Sequence, residues 1–358
     1  MPMATTERSA PEMLEALVRQ AEAAGASDIH LQMNGCEARV AFRLDGVLSP
    51  VRELPDPVAR RVFGRIKYLA RLKTYQESSP QDGRIDRADV GAASDIRVAT
   101  YPTVTGEKIV LRLFSAAEVL ALDQLGFADG VLDALTRFLA RPSGLLLLTG
   151  PAGSGKTTTI YACLHHLAAS GGRHAITIED PVERIIEGVM QTEVNPAAGL
   201  DFAAAARHLL RQDPQVLVIG EIRDEETANI AVRAAFTGHL VIATLHAGSC
   251  RGVFERLFDM CDDRYAAIAA AEMVLSQRLV RRVCAACEGA GCEACLDTGY
   301  HGRVPAAEWV AIDDALRQQL RGRGAEAVVP DPALAAEGRR LVADGVTDER
   351  ERVRVFGT

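Results

Sequence analysis

Apolar positions recur at helical spacing near the start of the chain. Met13, Leu14, Leu17 and Val18 form a stripe behind Pro11, and Ser9 and Glu12 make a capping-box pair in front of it. The period then shortens to two. Val40, Phe42 and Leu44 alternate with Ala41 and Arg43 and run into Asp45-Gly46, a hairpin turn signal. Ser94 to Phe114 repeats that design: Ile96 and Val98 alternate, Thr105-Gly106 turns, and Ile109, Leu111 and Leu113 alternate again. The pattern predicts a small α+β domain over residues 1–114, followed by a linker over 115–124. From Leu125 unbroken apolar runs alternate with helical stretches, the signature of a parallel α/β sheet. Strands are predicted at 145–149, 175–179, 216–220 and 240–244, with helices at 157–169, 202–212 and 225–236. This core runs over 125–283. Past Arg264 the chain reads as mostly helical, broken by a cysteine element over 284–303 and closed by a charged helical segment over 304–358.

Alternation fixes which way some charges point. Arg97 lies between Ile96 and Val98, and Arg112 between Leu111 and Leu113, so both project from the face opposite the apolar one. Arg84, after an expected turn at Asp82-Gly83, is a candidate to join them. From pattern alone a solvated sheet face is the favoured reading, because antiparallel sheets commonly carry one.

The strand at 145–149 leads directly into Gly150-Pro151-Ala152-Gly153-Ser154-Gly155-Lys156-Thr157, which fits G-x-x-x-x-G-K-[ST]. Strand, glycine loop and helix in that order give backbone N–H groups that turn around phosphate oxygens at a helix N-terminus. Lys156 is placed to reach the β- and γ-phosphates, Thr157 to ligate Mg²⁺, and Thr158 continues the first helical turn. A nucleoside triphosphate is the expected ligand.

Carboxylates are then needed near Mg²⁺ and the attacking water, at the C-terminal ends of neighbouring strands. Glu179-Asp180-Pro181-Val182-Glu183 leaves one such strand, and Glu221 ends another where a Walker B aspartate can stand. A single strand-end acid is ordinary; two on core strands after a phosphate loop favour function. His239 and His246 flank the strand at 240–244, and on chemistry alone each is as well read as a satisfied polar residue as a phosphate sensor.

Composition narrows the class. The chain has 358 residues, enough for two or three domains, and 48% hydrophobic content is ordinary for a globular protein. A net charge of −8 argues against a general nucleic-acid binder. No apolar run reaches membrane-spanning length and Met1 to Ala10 holds no signal-peptide core, so a cytoplasmic protein is expected. Four of the eight cysteines, Cys36, Cys163, Cys250 and Cys261, are scattered and read as buried or idle thiols. The other four form two C-x-x-C knuckles, Cys284/Cys287 and Cys292/Cys295, separated by four residues, with the donor set of a tetrahedral Zn²⁺ site.

Taken together the boxes resemble the secretion ATPases of type II secretion and type IV pilus assembly. The resemblance covers nearly the whole chain. It includes Gly25 to His30, Phe42 to Gly46, Pro80 to Arg84, Pro102 to Lys108, the phosphate loop and the acidic box at Glu179 to Pro181. It continues through Arg211 to Pro214, Gly220 to Asp224, Thr237 to His239 and Thr244 to His246. It implies a RecA-like P-loop ATPase core with a PAS-like α+β N-terminal domain and a helical C-terminal part carrying the zinc knuckles. The residue matching Glu183 is then the water-activating base, and Glu221 acts near Mg²⁺ and the γ-phosphate. Arg84, Arg97 and Arg112 are implied to reach phosphates, reversing the bland reading of those arginines, and His246 belongs to the histidine box. The resemblance further implies ATP, Mg²⁺ and Zn²⁺ as cofactors, a homohexamer, and an inner-membrane platform protein as partner at the cytoplasmic face. The tetracysteine element, with Thr298 to Arg303 after it, is typical of assembly rather than retraction ATPases. In two respects the chain departs from the pattern: it starts at the second N-terminal domain of typical members, and its knuckles are closer together than in many relatives. Two other readings stand beside this one: a DNA-uptake or conjugation-type traffic ATPase acting with nucleic acid, and a regulatory module whose cysteine knob recognises a partner.

Overall fold

The computed structural model describes residues 9–113 and 119–357. The N-terminal ten residues and the 115–124 linker therefore lie in part outside the described residues. The chain divides into two compact units, Met1–Glu118 with Val283–Gly302, and Val119–Arg282 with Arg303–Thr358.

In the first unit, α1 (Ala10–Ala23) begins at the expected capping box: the Ser9 N–H donates to Glu12 at 2.9 Å and the Glu12 N–H to Ser9 Oγ at 3.5 Å. There follow β1 (Asp28–Met33), β2 (Glu37–Leu44), β3 (Val47–Pro55), α2 (Asp56–Leu69), β4 (Gln81–Ile85), β5 (Ile96–Thr103) and β6 (Gly106–Leu113). They form one six-stranded sheet in the order β3-β2-β1-β6-β5-β4. Leu14, Leu17 and Val18 of α1 and Val62, Phe63 and Ile66 of α2 bury against its apolar face, with Ile29, Phe42, Ile96 and Leu111 beneath them. Asp82-Gly83 lies inside β4, where a turn was expected. A Cβ at Gly83 would stand 2.6 Å from the Ala70 carbonyl, so the glycine marks a close backbone approach and not a reversal.

The second unit opens with α3 (Asp129–Leu139) and then the phosphate-loop strand β7 (Gly144–Thr149) and α4 (Lys156–Ser170). Next come β8 (Ala175–Glu179), β9 (Val189–Glu193), α5 (Phe202–Leu209), β10 (Val216–Ile222), α6 (Glu225–Phe236) and β11 (Leu240–Leu245). After α7 (Cys250–Met260) and α8 (Arg264–Ala270), β12 (Ala271–Val283) and β13 (Tyr300–Ala311) are followed by α9 (Asp314–Arg323), α10 (Leu334–Ala343) and α11 (Glu349–Phe356). The seven-stranded sheet runs β13-β12-β7-β11-β10-β8-β9, and β12-β7, β7-β11, β11-β10, β10-β8 and β8-β9 are parallel pairs. Every residue of β7, β8 and β11 is buried, as the unbroken apolar runs require of a sheet covered on both faces.

Two expectations are corrected. The stretch past Arg264, read as mostly helical, supplies two of the longest strands, and β13 reaches into the expected helical segment. Pairing of Ala271–Ser276 with β7 supplies a long-range ladder that outweighs local propensity. The helix at 202–212 stops at Leu209, and Asp213 just beyond it has φ +53, outside helical space.

Candidate nucleotide site and four-cysteine centre

The C-terminal ends of β7, β8, β10 and β11 meet at one edge of the large sheet. There the loop Gly150–Thr157 passes from β7 into α4. Gly150 and Gly155 have φ of +143 and +91, and a Cβ at Gly150 would stand 2.3 Å from the Gln277 carbonyl of β12. Glycine alone permits this wall. Pro151, Ala152 and Gly153 are exposed at the loop's tip, whereas Ser154 is buried. Lys156 curls over the loop, its Nζ donating to the carbonyls of Gly150 at 2.8 Å and Pro151 at 3.0 Å. Burial pushes the Lys156 ammonium below the ordinary lysine range; Glu221 pulls it up and the Arg278 guanidinium pushes it down. Thr157 is half-buried and Thr158 exposed on the first turn of α4.

Glu221 stands near the end of β10 between His246 and Arg223. Its Oε1 lies 2.9 Å from His246 Nε2, and its Oε2 accepts from Arg223 Nε at 2.7 Å. Arg223 also donates to Asp180 Oδ2 at 3.1 Å, which ties the strand-end acids of β8 and β10 together. The loop carrying His246 is itself tied to β7. Thr149 Oγ1 donates to the Ala247 carbonyl at 2.9 Å and accepts from the Ala247 N–H at 2.8 Å. His239 lies at the other end of β11, where its Nδ1 meets the Ala234 carbonyl at 3.0 Å. Of the two histidines, only His246 sits at the phosphate-loop edge.

The acidic box separates into a sequestered residue and an outward one. Glu179 is buried and accepts from Tyr161 Oη at 2.5 Å, Thr177 Oγ1 at 2.6 Å and Gln191 Nε2 at 2.9 Å. Glu183 is exposed, and its backbone N–H donates to Tyr161 Oη at 3.1 Å, beside that of Arg184 at 3.3 Å. One phenol thus links the buried acid to the backbone of the exposed one. Burial first, then the hydrogen bond to Glu179 and its charge, push the Tyr161 hydroxyl well above the ordinary tyrosine range.

Sequence reasoning missed Tyr161, Gln277, Arg223 and Arg278. Tyr161 looks like one more apolar position of α4, and Gln277 and Arg278 sit in a stretch that reads as helix. Arg223 alone had a signal, lying in the quoted box Gly220 to Asp224. Arg278 donates to the carbonyls of Gln277 at 3.1 Å and Gly248 at 3.0 Å, and burial depresses its guanidinium.

In the first unit the three arginines stand side by side. Arg84 is opposite Arg97 across β4 and β5, Arg97 opposite Arg112 across β5 and β6, and Arg112 opposite Asp28 of β1. Arg43 of β2 completes the row on the other side of Asp28. Arg84 pairs with Asp95; Asp28 accepts from Arg112 at 3.1 Å and lies 3.3 Å from Arg43. Like charges directly opposite one another destabilise a sheet, and the carboxylates of Asp28 and Asp95 stand against this row.

The four cysteines also belong to the first unit, on the excursion between β12 and β13. Their Sγ atoms all lie within 4.8 Å of one another, with Cys292–Cys295 at 3.7 Å, Cys287–Cys295 at 3.8 Å and Cys284–Cys292 at 3.9 Å. A tetrahedron with metal–sulfur bonds of about 2.3 Å has edges of about 3.8 Å, so the donor set fits zinc. The Gly291 N–H donates to Cys287 Sγ at 3.2 Å, and the Cys292 and Gly299 N–H groups to Cys295 Sγ at 3.3 Å. Burial pushes the Cys295 thiol up, but the N–H groups of Cys292 and Gly299, joined by the Cys292 and Cys287 thiols, outweigh it and bring it down to about 7. The element is seated on the N-terminal fold: Leu296 packs on its core, and the Gly302 N–H donates to Asp45 Oδ2 at 2.8 Å. Two of the scattered thiols behave differently. Burial raises Cys163 to about 12 and Cys261 to about 11.

A family model described as "Type II/IV secretion system protein" matches residues 4–354. The type II secretion system protein HxcR of Pseudomonas aeruginosa is 42% identical, over 98% of this chain and 78% of its own length. The type IV pilus assembly ATPase PilB of Thermus thermophilus is 38% identical, over 96% of this chain and 42% of its own length. Among solved structures, the pilus retraction motor PilT with bound ADP aligns at a TM-score of 0.66 and 26% identity, covering 96% of each chain.

Proposed function

The chain belongs to the type II/IV secretion system protein family, and we propose that ATP and Mg²⁺ bind at Gly150–Thr157 and that hydrolysis there drives assembly of a pseudopilus or pilus. It is a motor ATPase of secretion or pilus assembly; its relative PilB is named a type IV pilus assembly ATPase and HxcR a type II secretion system protein. The observation that carries the catalytic reading is Glu221, held between His246 and Arg223 and within electrostatic reach of Lys156.

In this reading Lys156 swings from the loop carbonyls to the β- and γ-phosphates, and Thr157 ligates Mg²⁺. Gly150, Gly153 and Gly155 shape the cradle; Pro151, Ala152, Ser154 and Thr158 line it. Glu221 acts beside Mg²⁺ and the γ-phosphate, with His246 reporting on it, and Glu183 positions the attacking water. Arg84, Arg97 and Arg112 supply positive charge to phosphates. Zinc held by Cys284, Cys287, Cys292 and Cys295 stiffens the first unit. The working form is a homohexamer acting on a polytopic platform protein from the inner face of the cytoplasmic membrane. Among the described residues no helix is long and apolar enough to cross a membrane.

The test is steady-state ATP hydrolysis by the purified chain with Mg²⁺. Lys156→Ala and Glu221→Gln are expected to lower turnover at least a hundredfold, as removal of one transition-state contact does. Rates like the wild type in either variant would refute the assignment.

A further inference from the structure

We propose that Gln277 is a positioning residue for the nucleotide: its side-chain amide orients the Ser154–Gly155 peptide so that the Gly155 N–H faces into the phosphate loop. This rests on the reading of Gly150–Thr157 as the ATP site. Gln277 lies on β12, next to the phosphate-loop strand, and is 1% exposed. Its Nε2 donates to the Ser154 carbonyl at 2.7 Å, and its Oε1 accepts from Thr159 Oγ1 of α4 at 3.1 Å. The two contacts fix the amide's orientation, since only the nitrogen can donate to a carbonyl.

The consequence for the loop follows from peptide geometry. A trans peptide is planar, and its C=O and N–H point in opposite directions. Drawing the Ser154 oxygen toward β12 therefore sends the Gly155 N–H the other way, toward the space the loop encloses. Gly155 is the N-cap of α4, so its N–H belongs to the unpaired donors at the helix start that bind anions. The fit is tight: a Cβ at Gly155 would stand 3.1 Å from Gln277 Nε2. A buried amide is costly unless both its ends are bonded, and here both bonds go to the nucleotide-binding elements. An apolar side chain of the same length would fill the space without them.

The test uses the full chain, a fluorescent N-methylanthraniloyl ADP with Mg²⁺, and titrations from pH 8 to pH 6 expressed relative to wild type at each pH. Gln277→Met fills the same volume without the donor and is expected to bind about tenfold more weakly, the value of one hydrogen bond to a charged ligand. Gln277→Glu sets an ionised acceptor against the Ser154 carbonyl. It is expected to bind worse than Gln277→Met at pH 8 and to recover as pH falls, because the protonated carboxyl regains an O–H donor. A role in packing alone would not give that recovery. If wild type binds and Gln277→Met binds equally well, or Gln277→Glu shows no recovery, the inference is overturned. If wild type does not bind, the ATP-site reading itself fails. Should the Gln277 variants not fold, Thr159→Val frees the amide to rotate: about threefold weaker binding supports the inference and unchanged binding overturns it.

Discussion

Tyr161→Phe tests whether the phenol of α4 sets the position of Glu183. The substitution keeps the ring in the core and removes one oxygen. That oxygen donates to buried Glu179 at 2.5 Å and accepts from the N–H groups of Glu183 and Arg184 at 3.1 and 3.3 Å. Glu179 keeps its bonds from Thr177 and Gln191, so the loss to the carboxylate is one charge-assisted hydrogen bond, about 1.5–3 kcal/mol. The two N–H groups are on a loop that water can reach, and add about 1 kcal/mol. The variant should therefore lose about 2.5–4 kcal/mol, which in a domain of this size lowers Tm by about 5–16 °C. The functional effect is separable from the stability effect. Without its anchor the backbone at Glu183 shifts, and a displacement near 1 Å of a catalytic group costs about a hundredfold in rate. Steady-state ATP hydrolysis at 15 °C, well inside the folded range, should show kcat reduced by ten- to a hundredfold with KM changed little, because Tyr161 touches no phosphate-loop residue through its hydroxyl. A variant whose Tm falls as expected while kcat stays within twofold of wild type would refute the positioning argument and leave Tyr161 a purely structural residue.

The zinc reading predicts about one zinc per purified chain, released on titration of the thiols. Cys292→Ser should lose the metal and lower the unfolding midpoint; metal-free protein purified without chelators, with an unchanged midpoint in Cys292→Ser, contradicts it. Glu351 on α11 is fully buried and accepts from the backbone and guanidinium of Arg281 and the guanidinium of Arg354. Glu351→Ala should cost about 3–5 kcal/mol in urea unfolding, since it strands a largely buried arginine; a loss below about 1 kcal/mol would show the pair to be neutral. Burial pushes the Glu351 carboxyl up, but the Arg354 and Arg281 bonds outweigh it and hold it below the ordinary 4.5. Its contribution is therefore complete above about pH 4.5 and is lost as pH falls through the lower folded value, so wild type and Glu351→Ala should converge in stability under acid.

What was legible in the chain, and what was not, divides along the physics of each segment. The core strands at 145–149, 175–179 and 240–244 appear within one residue of their expected ends, because a strand buried on both faces must be apolar throughout. The arginines' outward face followed from alternation alone. Two kinds of feature escaped. One is β12, whose Ala271-Glu272-Met273 start has no strand signature of its own; its conformation comes from a ladder with β7, more than a hundred residues earlier in the chain. The other is the set of side chains that hold functional groups without being functional groups. Tyr161 and Gln277 act on backbone atoms, of Glu183 and Ser154, so no spacing rule relates them to the residues they hold.

That second class explains how a generic phosphate loop comes to be held in one conformation. A glycine-rich loop has many accessible backbone states, and the freedom that lets it wrap a phosphate also lets it lose that shape. Here its backbone is held from three sides: Gln277 bonds the Ser154 carbonyl, the Thr159 backbone N–H bonds the Gly155 carbonyl at 3.0 Å, and Lys156 bonds those of Gly150 and Pro151. The first two are hydrogen bonds between neutral groups, and the Gln277 bond is buried. The third is a flexible cation that a triphosphate can draw away, because its anionic oxygens are stronger acceptors than neutral carbonyls. If Gly150–Thr157 is the ATP site as proposed, binding exchanges the restraint held by Lys156 for contact with the ligand while leaving the frame in place. Loosening the frame at Gln277 should therefore weaken nucleotide binding, whereas changing Glu221, which touches none of these carbonyls, should slow the chemical step and leave binding nearly intact.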